Sequence, residues 1–214
     1  MLQLIRQNRI YYTCLGLYFL IGAAILIVME KGQLEISMNR RHSIELDYFF
    51  RMITYLGDGV FAFPLILLIF LFNNIYKSMV IFISVIATFI FVQTIKGIMN
   101  MPRPSTYFSK DLNLHYVDGV DIHALYSFPS GHSAQAFALF LSLALFNKNK
   151  TAGGIFFLLA FLTAVSRMYL LQHFLIDTYF GALIATFITS LTYLYFTNYT
   201  KLSEKTRWQR GLLF

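Results

Sequence analysis

Six ionisable side chains in three short polar clusters carry the chemistry legible in this 214-residue sequence. The first cluster runs from Lys96 to Arg103 and Pro104, the second is Pro129-Ser130-Gly131-His132, and the third is Ser166-Arg167, then His173, then Asp177. Lys96, Arg103 and Arg167 stand at the ends of apolar runs, where an uncompensated charge is expensive. Three cations at one face call for an anion. Phosphate fits, because guanidinium groups bind its oxygens in a bidentate way. Ser130, Gly131 and His132 precede a predicted helix start whose backbone N–H groups can face a phosphate oxygen, and Gly131 lets the backbone come close. His173 and Asp177 are four apart, a spacing that shares one face of a helix. A carboxylate on one ring nitrogen fixes the tautomer and leaves the other nitrogen free to attack, while a second imidazole, His132, can protonate a leaving oxygen.

The elements that must position these groups are apolar. Of all residues, 57% are apolar and only 13% charged, against roughly 25% charged in soluble domains. That balance excludes disorder and an ordinary cytosolic globule and predicts an all-α integral membrane bundle of six transmembrane helices. The six runs are Ile10–Met29, Val60–Phe72, Met79–Ile95, Ser133–Phe146, Ala152–Val165 and Phe174–Phe196. Val60–Phe72 is short for a span. Residues 30–58 mix charges with Tyr48-Phe49-Phe50 and predict an amphipathic interfacial segment after the first span, broken by Gly57-Asp58-Gly59. The expected organisation is a single membrane-embedded domain over 1–214, with its motif core at 96–177 and a basic tail at 197–214. The lone cysteine, Cys14, forms no intramolecular disulfide.

Charge sets the expected orientation. With the N-terminus inside and six crossings, the inner segments hold nine basic residues (Arg6, Arg9, Lys77, Lys148, Lys150, Lys201, Lys205, Arg207, Arg210) and one acid, Glu204. This asymmetry places both termini in the cytoplasm and the three clusters on the periplasmic or exterior face of the cell (inner) membrane. The formal net charge of +7 is therefore topological, and no nucleic-acid partner is expected.

The motifs K-x6-RP, PSGH and SR-x5-H-x3-D, in this order, resemble the signature of the type-2 phosphatidic-acid phosphatase (lipid phosphate phosphatase) superfamily. Every fixed position is met: Lys96, Arg103, Pro104, Pro129, Ser130, Gly131, His132, Ser166, Arg167, His173 and Asp177. Residues 1–58 carry little of the resemblance. It implies a metal-independent hydrolase of a membrane lipid phosphate or diphosphate. Undecaprenyl diphosphate, phosphatidylglycerol phosphate, phosphatidic acid and lipid A phosphate are the substrates it brings into view. By the resemblance His173 is the nucleophile and forms a phosphohistidine, Asp177 orients it, and His132 is the acid. Lys96, Arg103, Ser130, Gly131 and Arg167 then bind the phosphoryl oxygens. The partners are a lipid phosphate substrate and the bilayer, with no cofactor and no metal.

Other readings stand beside this one. Lys96 alone would be a snorkelling anchor, Pro102 and Pro104 end a helix, and Ser130 is a helix N-cap in addition to any other role. The same nucleophile would serve a lipid-to-lipid or lipid-to-sugar phosphotransferase, and a non-enzymatic lipid carrier or scramblase would keep only the phosphate site. His115, His123, Asp118 and Asp121 could suggest a metal hydrolase, though a solvated loop accounts for their loose spacing. His42 matches no motif.

Overall fold

The apolar runs become helices whose ends are fixed by short polar side chains. The computed structural model describes residues 1–108 and 112–213, so Asp111 of the long polar loop and Phe214 lie outside the described residues. The α-helices are α1 (Leu2–Gln7), α2 (Arg9–Val28), α3 (Gln33–Asn39), α4 (Ile44–Ile53), α5 (Gly59–Phe72), α6 (Ile75–Met99), α7 (Pro104–Tyr107), α8 (Gly131–Phe146), α9 (Gly153–Tyr169) and α10 (Leu175–Tyr199), and no strand occurs among the described residues. The all-helical expectation is met.

Ser43, Asp58, Asn74 and Ser130 cap α4, α5, α6 and α8, each accepting a backbone N–H with its side-chain oxygen. α6 stops at Asn100, whose left-handed φ of 41° ends the helix just past Lys96. Three buried hydroxyls inside the apolar helices are satisfied by carbonyls of their own helix: Ser84 donates to Val80, Ser142 to Ala138 and Thr163 to Leu159. This suits a bilayer, where no water is at hand.

Four helical stretches are long and apolar enough to cross a membrane: 9–28, 75–107, 150–169 and 175–199. A fifth crossing exists if residues 44–57 and 59–72, bent by 51° at Asp58, count as one broken span. The remaining run, α8, has only 16 residues, about 24 Å at 1.5 Å per residue. By length and composition, four of the six expected transmembrane helices stand alone, a fifth is the bent pair, and α8 is a short apolar helix at the remaining run. The reason lies in packing. α8 is buried on nearly every side against α6, α9 and α10, so it is an axis inside the bundle rather than a lipid-facing span. Its alternation of small and large residues, Ala134, Ala136, Phe137, Ala138 and Phe140, allows this close contact.

The basic tail has a fixed position. Ile75 N–H donates to the Arg210 carbonyl, and Leu212 and Leu213 N–H groups donate to Phe70 and Leu71. The tail therefore sits at the α5–α6 turn, roughly 30 Å along α6 from Lys96. The polar clusters occupy the opposite end.

Candidate active site

All three polar clusters converge on one cavity of about 240 Å³, which Lys96, Arg103, Gly131, His132, Arg167 and His173 line together with Gly57, Asp58, Gln93, His123 and Gln135. Lys96 reaches it from the last turn of α6. Arg103 follows the Asn100 turn, and its backbone is held by the returning segment of the loop: Arg103 N–H donates to Ala124, and Ser127 N–H donates to Met101. The residue is 8% exposed, and its guanidinium donates to the Leu125 carbonyl (2.9 Å) and to Gln172 Oε1 (2.8 Å). Gln172 in turn donates to the Asp121 carbonyl (3.0 Å), so the residue before His173 fixes the arginine fork. Arg167, also buried, donates from Nη1 to Thr54 Oγ1 at 2.7 Å, while its Nε makes no hydrogen bond among the described residues.

The N-terminus of α8 forms the cradle. Ser130 caps it and is itself held by the bond from its N–H to the Asp177 carbonyl at 3.0 Å. A Cβ placed on Gly131 would meet nothing closer than Lys96 Nζ at 3.7 Å, so the glycine's open side faces the cation. Peptide N–H groups, a lysine and two arginines around one cavity are donors of the kind that a tetrahedral oxyanion accepts from.

His173 is 1% exposed, and its Nδ1 faces Asp177 Oδ2 at 3.4 Å. The spacing of four arises differently from the helical face expected of it. His173 precedes α10, and Asp177, in the first turn, folds back so that Oδ2 accepts from Phe174 N–H (2.9 Å) and Ser127 Oγ (2.5 Å). The carboxylate thus ties down the start of α10 and stands beside the imidazole at once. Burial, with Arg103, Arg167 and Lys96 beside it, holds the His173 imidazole well below its ordinary value. At neutral pH it is a neutral ring with a free lone pair.

Several residues at the site carry no motif. Asp58 caps α5 with Oδ1 and presents Oδ2 to His132 Nε2 at 3.8 Å. Glu35, 2% exposed on α3, accepts the Leu175 N–H at 2.7 Å and so holds the start of α10, and burial raises its carboxyl above the usual range. Lys31 Nζ lies over the rings of Phe174 and Tyr107, 4.4 and 4.7 Å from their centroids. Of these, only the break at Gly57-Asp58-Gly59 left a mark in the sequence. Of the loop histidines, His123 lines the cavity, whereas His115 pairs with Asp47 well away from it.

Gly57 shows how closely these segments approach. A Cβ there would stand 2.5 Å from the His132 carbonyl oxygen and 2.8 Å from Thr163 Cγ2. Gly57→Ala must therefore push α8 away from the Thr54–Gly57 turn. The expected loss is about 1–3 kcal/mol of stability, read as a lowered thermal midpoint of the purified protein in detergent. An unchanged midpoint would mean that the approach is looser than this geometry.

Residues 77–201 match the family model "PAP2 superfamily". Among solved structures, Aquifex aeolicus LpxE is similar at 28% identity with a TM-score of 0.67, over 77% of this chain and 95% of that one. A transmembrane PAP2 type phosphatidylglycerolphosphate phosphatase from Bacillus subtilis shares the fold at 19% identity with a TM-score of 0.65, over 89% of this chain and 98% of that one. No curated protein matches the chain.

Proposed function

Because this multi-pass membrane chain belongs to the PAP2 superfamily, we propose that it hydrolyses a phosphomonoester or diphosphate headgroup of a membrane lipid through a phosphohistidine. The observation that carries the reading is the shared cavity: His132 and His173 line it together with three cations, and Asp177 stands behind His173. A phosphoryl group seated among Lys96, Arg103 and Arg167 would place its phosphorus before Nε2 of His173, the ring nitrogen that does not face Asp177. Attack forms an N–P bond and breaks the P–O bond to the lipid, whose oxygen takes a proton from His132. A water then attacks the phosphohistidine and gives its proton to His132. The N–P bond breaks and inorganic phosphate leaves. Asp177 stabilises the positive ring of the intermediate. The cations offset charge on the equatorial oxygens, where positioning and electrostatics supply most of the rate.

Asp58 has a place in this scheme. A carboxylate on the wall of an anion-binding cavity opposes the ligand, so its benefit must lie elsewhere. Beside His132, with Oδ2 3.8 Å from Nε2, its negative charge offsets part of the positive field that the three cations set up at that ring.

No step draws on a metal ion. The charge asymmetry of the sequence supports cytoplasmic termini and a cavity opening to the periplasm or exterior of the cell membrane. The tail lies at the far end of α6, as that orientation requires.

The test is phosphate release by the purified protein from a panel of lipid phosphates and diphosphates in detergent. Release is expected without an added acceptor, unaffected by a chelator and blocked by vanadate. Activity abolished by the chelator and restored by a divalent ion would overturn the reading. Transfer only in the presence of an acceptor lipid or sugar would make the protein a phosphotransferase.

A further inference from the structure

A second group of ionisable side chains lies away from the phosphate cavity and has no part in the reaction proposed above. His42 follows α3, Asp47 is in the first turn of α4, and His115 is in the long loop. One ligand atom from each lies within 4.8 Å of the other two. His115 Nε2 is 2.8 Å from Asp47 Oδ2, and the His42 ring stacks on His115 with centroids 3.8 Å apart.

The group is held from behind. Asn39 grips the His115 backbone on both sides: its Nδ2 donates to the His115 carbonyl (2.7 Å) and its Oδ1 accepts the His115 N–H (3.0 Å). Tyr169 donates its hydroxyl to Asp47 Oδ1 at 2.5 Å, leaving Oδ2 for His115. In front, a cavity of about 190 Å³, lined by Asp47, Arg51, His115 and Asp118 among others, opens to solvent.

We propose that His42, Asp47 and His115 form a binding site for a first-row divalent transition metal of the zinc type. Two imidazoles and one carboxylate are the nitrogen and oxygen donors such ions prefer, whereas calcium and magnesium favour all-oxygen sets. Three protein ligands leave the fourth position to water. Bonds of about 2.0–2.1 Å require ligand atoms roughly 3.4 Å apart, so closing the 4.8 Å span takes a shift of little more than an ångström. His42 supplies it. The ring is exposed and turns out of the stack, so that its lone pair converges with that of His115 instead of running parallel to it. The Tyr169–Asp47 bond is the outer partner that orients the carboxylate. Arg51 on the cavity wall opposes a cation and Asp118 offsets it. Bound metal would tie the 42–47 segment to the loop at 115, on the end of α9 that also carries Arg167.

The full-length protein in detergent, stripped with a chelator, is titrated with Co²⁺ and then with Zn²⁺. One equivalent of Co²⁺ is expected to bind with visible d–d absorption, and Zn²⁺ should displace it. The signal should be lost in His42→Ala and in His115→Ala, and Tyr169→Phe should weaken binding by roughly 10–100-fold. Zn²⁺ should raise the thermal midpoint of the wild type and leave that of His115→Ala unchanged. Absence of saturable binding, or binding unchanged in both histidine variants, would overturn the site. Phosphate release is not the readout, so failure here leaves the hydrolytic reading standing.

Discussion

His173→Ala is expected to remove phosphate release almost completely, by on the order of 10⁴-fold or more, as the loss of a covalent nucleophile does. The side chain is 1% exposed, so the variant leaves a hole. Asp177 nonetheless keeps its bonds from Ser127 and Phe174, and α10 keeps its cap. A retained thermal midpoint in detergent separates lost chemistry from lost fold. His132→Ala supplies the contrast, with an expected loss of roughly 10²–10⁴-fold on lipid substrates, whose alkoxide or phosphate leaving group needs a proton. On an aryl phosphate with a nitrophenolate leaving group, which departs without one, the His132→Ala defect should shrink while the His173→Ala defect stays. Equal defects on both substrates would place His132 outside proton transfer. Wild-type rates in both variants would remove the hydrolytic mechanism altogether.

The parts of the site visible in the sequence share a property. Each depends on a spacing within one short segment: Lys96 and Arg103 around a helix end, Ser130 and Gly131 at a helix start, His173 and Asp177 around the first turn of α10. Local geometry dictates such spacings, so they survive as patterns. The same holds for the helices themselves, whose apolar runs are long and bounded by Ser, Asp and Asn caps. What stayed hidden is the contribution of residues 1–58. Thr54 meets Arg167, Asp58 meets His132, Glu35 meets Leu175 and Asp47 meets Tyr169, each pair separated by more than seventy positions. Single residues joined across the bundle leave no periodicity and no motif. At 16 residues α8 is short for a membrane span, as a helix shielded from lipid by its neighbours can be. Spacing alone also gave a false picture of His173 and Asp177, which meet through a helix cap rather than along a helical face.

The hidden N-terminal contacts bear on the second large effect. Arg167 is 6% exposed, and among the described residues its side chain bonds to Thr54, with Nε unpaired. A buried guanidinium with an unused N–H is poorly satisfied until an anion arrives, so most of its benefit should be realised on phosphoryl oxygens. Arg167→Ala is expected to lower kcat/KM by roughly 10²–10³-fold, the scale seen when one preorganised oxyanion donor is removed. Arg167→Lys keeps the charge but loses the planar fork and the reach to Thr54, so it should recover only part of the rate. Thr54→Val tests the support without touching the charge. It leaves the guanidinium in place but unanchored, and a loss smaller than that of Arg167→Ala is expected in steady-state kinetics on the same lipid phosphate. If Thr54→Val equals wild type while Arg167→Ala is impaired, the phosphate alone orients the arginine. If Arg167→Ala is unimpaired, the cavity is not where the phosphoryl group binds, and the three cations must serve only to anchor the helix ends.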